Sequence, residues 1–362
     1  MPVSNQPYNP WSGEHPLTER EREILRLVVK SFILTADPVG SRFLSKQFQI
    51  GLSAASIRHT MSDLEDLGYL DHPYTSAGRI PTELGYRKFV NELMEAAELT
   101  PGEKQMLRSE IERLVGDTDD LLWKSSRILG RLSNLLAVAL MPKLSTGVLD
   151  RLEVVPLSSN RAMFVVSMRG GLVKTIMLEL DSGLNREDLD QVVPILNERL
   201  SGLTLEEIRQ TYVPRLRDLD VDRNGIVRLV LDEAPMLFSE QAEGKRVRYG
   251  GAKNILLQPE FQAPAEFRNL MEIVEDENFV VQLLEERRVQ TEDQVGRAVI
   301  SIGSENSDEK ADKCSLVTAR YKMGDSVGTI GVLGPMRMDY ARAVSLVEAM
   351  AAVLSTASEE ES

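Results

Sequence analysis

The apolar positions fall first at helical spacing. Ile24, Leu25, Leu27, Val28, Phe32 and Ile33 recur at three- and four-residue intervals, which predicts a helix with one buried face. Thr18-Glu19-Arg20-Glu21 ahead of it is a capping-box pattern, in which the hydroxyl accepts from an early backbone amide and the carboxylate reaches back to the cap. The turn Asp37-Pro38-Val39-Gly40 ends that helix, and Ser41 is expected to cap a short second one. Gly51 marks a tight turn and Ser53 caps a third helix running to about Leu67. There Ala54, Ile57, Met61 and Leu64 face inward, whereas Ala55, His59 and Ser62, flanked by Ser56 and Arg58, lie on the opposite side at 100° per residue. Short helix, tight turn and longer helix together form a helix-turn-helix arrangement.

Gly68-Tyr69-Leu70 closes the third helix. Leu70 to Ile80 offers two short extended pieces around Thr75-Ser76-Ala77-Gly78-Arg79, and Pro81-Thr82-Glu83 opens a closing helix, Leu84 to Met94. From Thr100 to Pro142 the pattern is again helical, with Leu107, Ile111, Leu121, Leu122, Ile128, Leu129, Leu135 and Leu136 near that spacing. The period then shortens. Leu149–Pro156, Arg161–Met168 and Leu172–Glu179 read as strands of an antiparallel meander. A helix-rich block extends to about Arg217, a short strand is expected over Ile226–Leu231, and loops and helices run on to Arg297. Strands Ser315–Tyr321 and Gly328–Leu333 pass through Gly334-Pro335 into a helix from about Asp339 to Leu354. The first sixteen residues, with four prolines, read as a flexible arm, and the end of the chain as an acidic tail.

Charge changes the picture only when taken locally. The net charge of −14 over 362 residues argues against a polyanionic partner, because phosphate contacts demand a positive footprint. Leu17 to Glu92, however, carries ten Lys and Arg against ten Asp and Glu, and a balance of −13 falls from Leu93 onward. The N-terminal segment is therefore compatible with DNA. Small, hydrogen-bonding side chains at the start of the third helix suit close approach to base edges, and the acidic Asp63, Glu65 and Asp66 sit at its far end. A small hairpin tip carrying Arg79 has the character of a wing that reaches phosphates. The candidate DNA-contacting residues are Arg42, Lys46, Ser53, Ala55, Ser56, Arg58, His59, Ser62, Ser76 and Arg79. With 42% apolar residues, no long apolar run and one cysteine, Cys314, the chain is expected to be globular and cytoplasmic.

Catalysis finds no footing in this pattern. His15, His59 and His72 all lie near the N-terminus, and no metal-ligand spacing or nucleophile elbow is present, so no metal, cofactor or catalytic residue is expected. Cys314 is expected at a strand start as a buried small hydrophobe. Gly328, Gly331 and Gly334 lack G-x-G-x-x-G spacing and read as strand glycines. A competing expectation is a metabolite-sensing regulator.

The run Gly40-Ser41-Arg42, Leu44-Ser45-Lys46-Gln47, Gly51-Leu52-Ser53, Ser56-Ile57-Arg58, Asp63-Leu64-Glu65, Leu67-Gly68-Tyr69-Leu70, Thr75 to Thr82 and Gly85-Tyr86-Arg87 resembles the N-terminal signature of the bacterial heat-inducible transcription repressors (HrcA). The resemblance returns in Gly303-Ser304-Glu305-Asn306, in Cys314-Ser315-Leu316-Val317 and in Gly328 to Tyr340. His59 stands where that family usually has Asn, and Tyr74 where it often has His. The resemblance implies a multi-domain α+β protein with an N-terminal winged helix-turn-helix, a GAF-like α+β domain and an inserted α/β dimerisation domain. The expected limits are 1–16 for the arm, 17–95 for the winged helix, 96–194 for a connector and the first part of the GAF-like domain, 195–275 for the insertion, 276–355 for the second part and 356–362 for the tail. The meander and the strands at 315–333 would then share one sheet. The implied function is repression of chaperone operons by a homodimer on an inverted-repeat operator, with the GroE chaperonin keeping the repressor active. In the competing expectation a ligand occupies the GAF-like domain.

Overall fold

The computed structural model describes residues 16–74, 78–111, 118–158, 161–179, 186–216, 226–238, 246–285, 295–306 and 308–357. It divides into two compact units, Met1–Glu95 and Ala96–Ser362.

In the first unit, α1 (Glu19–Thr35) starts on the expected capping box: the Thr18 amide donates to Glu21 Oε2 at 2.7 Å, and the Glu21 amide donates to Thr18 Oγ1 at 3.3 Å. Its stripe Ile24, Leu25, Leu27 and Val28 is buried and packs on α3 (Ala54–Asp66), which in turn packs on α2 (Ser41–Gln47). The cap of α2 is Gly40 rather than Ser41. Gly40 takes the extended conformation (φ −94°, ψ 147°) and makes no side-chain cap, and Ser41 is already helical and buried. Between the helices Gly51 holds φ +66°, a left-handed turn that glycine adopts without strain.

After α3, β1 (Leu70–Asp71) pairs with β2 (Ile80–Pro81) in a minimal antiparallel hairpin. Its returning arm is tied to the α1–α2 turn, where the Val39 amide donates to the Arg79 carbonyl at 2.8 Å and the Arg79 amide to the Val39 carbonyl at 2.9 Å. Gly78 makes this approach possible, because a Cβ there would lie 2.5 Å from the carbonyl carbon of Val39. The expected closing helix forms as α4 (Glu83–Lys88), capped by Thr82, and continues as a π turn over Phe89–Leu93.

The second unit is built on a five-stranded antiparallel sheet in the order β7-β3-β10-β9-β8. Its strands are β3 (Leu136–Leu140), β7 (Val247–Gly250), β8 (Ala298–Ile302), β9 (Cys314–Met323) and β10 (Ser326–Pro335). Helices α5 (Pro101–Ile111), α6 (Thr118–Ser133) and α13 (Tyr340–Ala357) pack together, with α6 and α13 seated on the sheet. Leu136, Val138 and Leu140 join Leu270, Ile273, Leu283 and Leu284 of α11 (Pro264–Glu275) and α12 (Glu277–Glu285) in another apolar cluster. The stretch from Leu136 to Leu140, expected to belong to a helical pattern running to Pro142, is instead the fully buried β3. A strand covered on both faces shows no alternation, so its apolar run is indistinguishable by period from a helical one.

The meander forms as expected: β4 (Leu149–Ser158), β5 (Arg161–Met168) and β6 (Val173–Glu179) pair in order, antiparallel. It does not share a sheet with β9 and β10. The three strands make a sheet of their own, covered on one face by α7 (Arg186–Leu200), which docks through Asn197 bonding both the amide and the carbonyl of Leu152 at 2.7 and 2.8 Å. Helices α8 (Leu205–Leu216) and α9 (Ile226–Leu237) complete this layer. Ile226–Leu231, expected as a strand, is the start of α9. Its β-branched composition favours extension locally, but Val230, Ala234 and Leu237 are buried at helical spacing, and that packing decides. The segment interrupting the five-stranded sheet thus runs from β4 to α9. The expected limits of 195–275 would cut α7 and remove β7, α10 (Ala252–Ile255) and α11 from the sheet and cluster to which they belong.

Candidate nucleic-acid interface

The outward side of α3 carries the chemistry. Ser53 accepts from the Ser56 amide at 3.1 Å, satisfying one of the orphan donors of the helix start. Ile57, Thr60, Met61 and Leu64 are buried; Ala54, expected inside, is only half-buried, and Thr60 takes the added inward place with its hydroxyl donating to the Ser56 carbonyl at 3.3 Å. Ala55, Arg58 and His59 are exposed, and Ser56 and Ser62 are half-exposed. The His59 ring lies 3.8 Å from the Asp63 carboxylate one turn on. The outward face thus changes from small and neutral or cationic at its beginning to acidic at its end, the sense a helix needs if its N-terminus leads toward phosphates.

Ion pairing decides which cations are free. Arg22 pairs with Glu92 at 2.7 Å, Arg26 with Glu23 and Glu95 at 2.8 Å, and Lys30 with Glu95 at 3.0 Å; Lys88 also pairs with Glu92. The hydrogen bond from Lys88 holds the Glu92 carboxyl below its ordinary value, and that from Lys30 does the same for Glu95. Exposed Arg42 and Lys46 on α2, and Arg58 on α3, meet no carboxylate among the described residues. A head of zero formal charge therefore presents unneutralised cations on its helix-turn-helix.

Arg79 behaves differently. Its guanidinium lies 2.6 Å from Glu65 Oε2, and the other oxygen of Glu65 takes the His72 ring. Asp71 stands beside them, its carboxylate accepting from the His72 amide at 2.7 Å. Glu65, Asp71 and His72 converge closely enough to hold a cation, but Glu65 is already matched by Arg79. The sequence marks Glu65 only as part of an acidic helix end, and its part in anchoring the hairpin base depends on the fold. The opposite charge of Arg79 was the available signal. Ser76 and the hairpin tip lie outside the described residues.

Cys314 and the glycines of β10 have structural surroundings. Cys314 is buried, and burial pushes its thiol up to about 12. Gly328, Gly331 and Gly334 all lie in β10, where an added Cβ at Gly331 would meet the Val317 carbonyl at 2.5 Å. The space between the five-stranded sheet and α12 amounts to about 10 Å³, roughly one water molecule at most. No described helix is long and apolar enough to cross a membrane.

Residues 119–344 match the family model described as the HrcA protein C-terminal domain. A heat-inducible transcription repressor HrcA from Chlorobium phaeobacteroides (strain BS1) is 42% identical over 346 residues, covering 94% of this chain and 98% of that relative. The repressor of the same name from Chlorobium chlorochromatii (strain CaD3) is 41% identical over 342 residues, 94% of this chain and 97% of its own. A crystal structure of a hypothetical protein is similar in fold, with a TM-score of 0.63 and 24% identity over 96% of this chain and 100% of that one. By this sequence identity and coverage, the chain belongs to the family of heat-inducible transcription repressors, HrcA.

Proposed function

We propose that this repressor binds an inverted-repeat operator of chaperone genes in the cytoplasm as a homodimer, each protomer placing α3 in a major groove with its hairpin as a wing. Membership of the family makes the chain a transcription repressor and not an enzyme. The observation that carries the DNA reading is the outward face of α2 and α3, where Arg42, Lys46 and Arg58 stand exposed without carboxylate partners beside Ser53, Ala55, Ser56, His59 and Ser62. The sequence adds Ser76 to this set. Arg79 serves it indirectly, by fixing the wing base to α3 through Glu65.

One head with so few free cations binds weakly, since each phosphate contact contributes about 0.9 to the log–log salt slope. Two heads on one dimer turn the second docking into an intramolecular event. The outer face of the β4–β5–β6 sheet supports a self-interface. Val155, Met163 and Met177 stand in one cross-strand row, and Leu157 and Val173 extend it; Val155, Leu157, Val173 and Met177 are exposed. An exposed apolar sheet face of this kind marks an association surface, and a two-fold axis lets the same face serve both partners. In this reading the winged helix is the DNA-binding domain, the five-stranded sheet with its helices the GAF-like domain, and the segment from β4 to α9 the dimerisation domain.

Heat acts on this assembly through the body: when it loosens, the spacing of the two heads fails and the operator is released. The family resemblance supports the GroE chaperonin as the partner that restores the body. A ligand inside the sheet is disfavoured by the filled interior. Mobility-shift titration on a duplex carrying the full inverted repeat and on one carrying a single half tests the reading; it predicts tight binding to the first and weak binding to the second. Equal affinity for both would refute it.

A further inference from the structure

The body carries a second concentration of positive charge, far from neutralised. A groove of about 530 Å³ is lined by Trp123, Lys124, Arg127, Ile128, Arg131, Asn134, Gly251, Lys253 and Asn254. Lys124, Arg127 and Arg131 follow one another at three- and four-residue spacing along α6, so they share a helix face. Lys253 adds a fourth cation from α10. None of the lining residues is acidic, and none of the four cations pairs with a carboxylate among the described residues. The acidic residues of α6 lie in its first turn, Asp119 and Asp120, and Asp119 is taken by Arg248.

This arrangement is unusual for an exposed helix face. Like charges at such spacing repel, and a surface helix normally intersperses carboxylates to relieve the repulsion. Here the relief is missing in a segment whose net charge is −13 from Leu93 onward. The groove also holds an aromatic platform. Trp123 is 41% exposed, and the Arg127 guanidinium sits over its ring, 4.6 Å from the centroid. An arginine stacked on indole is held extended with its edge donors directed outward. Volume, ring and charges match a ligand with a flat base and a phosphate chain, and the volume falls within the range of small-molecule sites.

We infer that this groove binds a nucleoside phosphate, with the base stacked on the Trp123–Arg127 platform and the phosphates drawn to Lys124, Arg131 and Lys253. The site lies on the outer side of α6, separate from the filled interior of the sheet, and it does not depend on how the head reads DNA. A concave site with an aromatic floor favours a small nucleotide over a duplex, whose phosphates need a long, open stripe.

The test uses the full-length protein carrying Trp11→Phe, which leaves Trp123 as the only indole, titrated with ATP while tryptophan emission is followed. Saturable quenching is expected for ATP, reversed by excess tripolyphosphate, which competes for the cations without a base to stack, and absent for adenosine over the same range. Arg131→Ala and Lys253→Ala should each weaken ATP by about tenfold, as loss of one charge-assisted contact implies. Both side chains are exposed, and unchanged circular dichroism of the variants confirms that folding is not the cause. Absence of saturable quenching overturns the site, as does equal response to adenosine. A duplex that quenches Trp123 where ATP does not would replace the nucleotide with DNA and also overturn it.

Discussion

Replacing Met177 by Asp places a carboxylate at the β6 end of the apolar row Val155–Met163–Met177. Met177 is 56% exposed in the single chain, so burying what remains against a second copy contributes about 1 kcal/mol per protomer, half the usual value for a whole methionine side chain. An unpaired carboxylate in the same place adds a desolvation cost of about 2 kcal/mol. A two-fold interface meets the change twice, so the dimer loses about 6 kcal/mol, or about four decades in dissociation constant. Sedimentation velocity across a concentration series reads this loss directly. The side chain lies on the outer face, so the thermal melt of the monomer should retain its form. Operator affinity should fall to that of a single half-site, because the linkage that gives the second head its effective concentration is gone. A Met177→Asp protein that sediments as a dimer and holds the inverted repeat at full affinity would refute the assignment of this face.

Three further outcomes follow from particular contacts. Ser53→Ala removes the α3 cap, at a cost of about 1 kcal/mol, and should lower the melting of the head by about 4–8 °C in calorimetry; an unchanged melt would contradict the capping role. Arg79→Ala should destabilise the hairpin base, leaving Glu65 without its cation, yet leave the salt slope of operator binding unchanged; a flatter slope would return Arg79 to the phosphates. Glu103 is held down to about 2 from an ordinary 4.5 by the Thr100 amide and hydroxyl, with Arg342 adding to it. A lowered folded-state value stabilises the protein above pH 4.5, and that contribution is lost as pH falls toward 2. Glu103→Gln should therefore flatten the acid limb of urea stability over that window, and an identical limb would exclude the contact.

Legibility in the sequence followed the physics of each element. The capping box at Thr18, the Gly51 turn and the amphipathic faces of α1 and α3 were readable because caps and periodicity are local properties. The meander was readable because one face of β4–β6 stays exposed and the strands alternate. Strand β3 was not, since burial on both faces erases the period. Helix α9 is illegible in sequence because its local composition opposes its packed state. Membership of β9 and β10 in a sheet with β3 and β7 is a pairing over long sequence separation, for which no single segment carries a signal. Of the site, the exposed polar face of α3 was legible, whereas the pairing of Arg79 with Glu65 depends on how the hairpin returns to α3. The contrast between free cations on the helix-turn-helix and paired ones on α1 emerged only in three dimensions, because both groups look alike in composition.

Those free cations decide whether α2 and α3 can meet a duplex. The most direct measurement is the salt dependence of operator affinity for the unaltered protein and for Arg42→Ala/Lys46→Ala/Arg58→Ala. If all three meet phosphates in both protomers, the log–log slope should flatten by about 5 units, with the dimer and its melt intact. An unchanged slope would show that the polar side of α2 and α3 does not face the duplex.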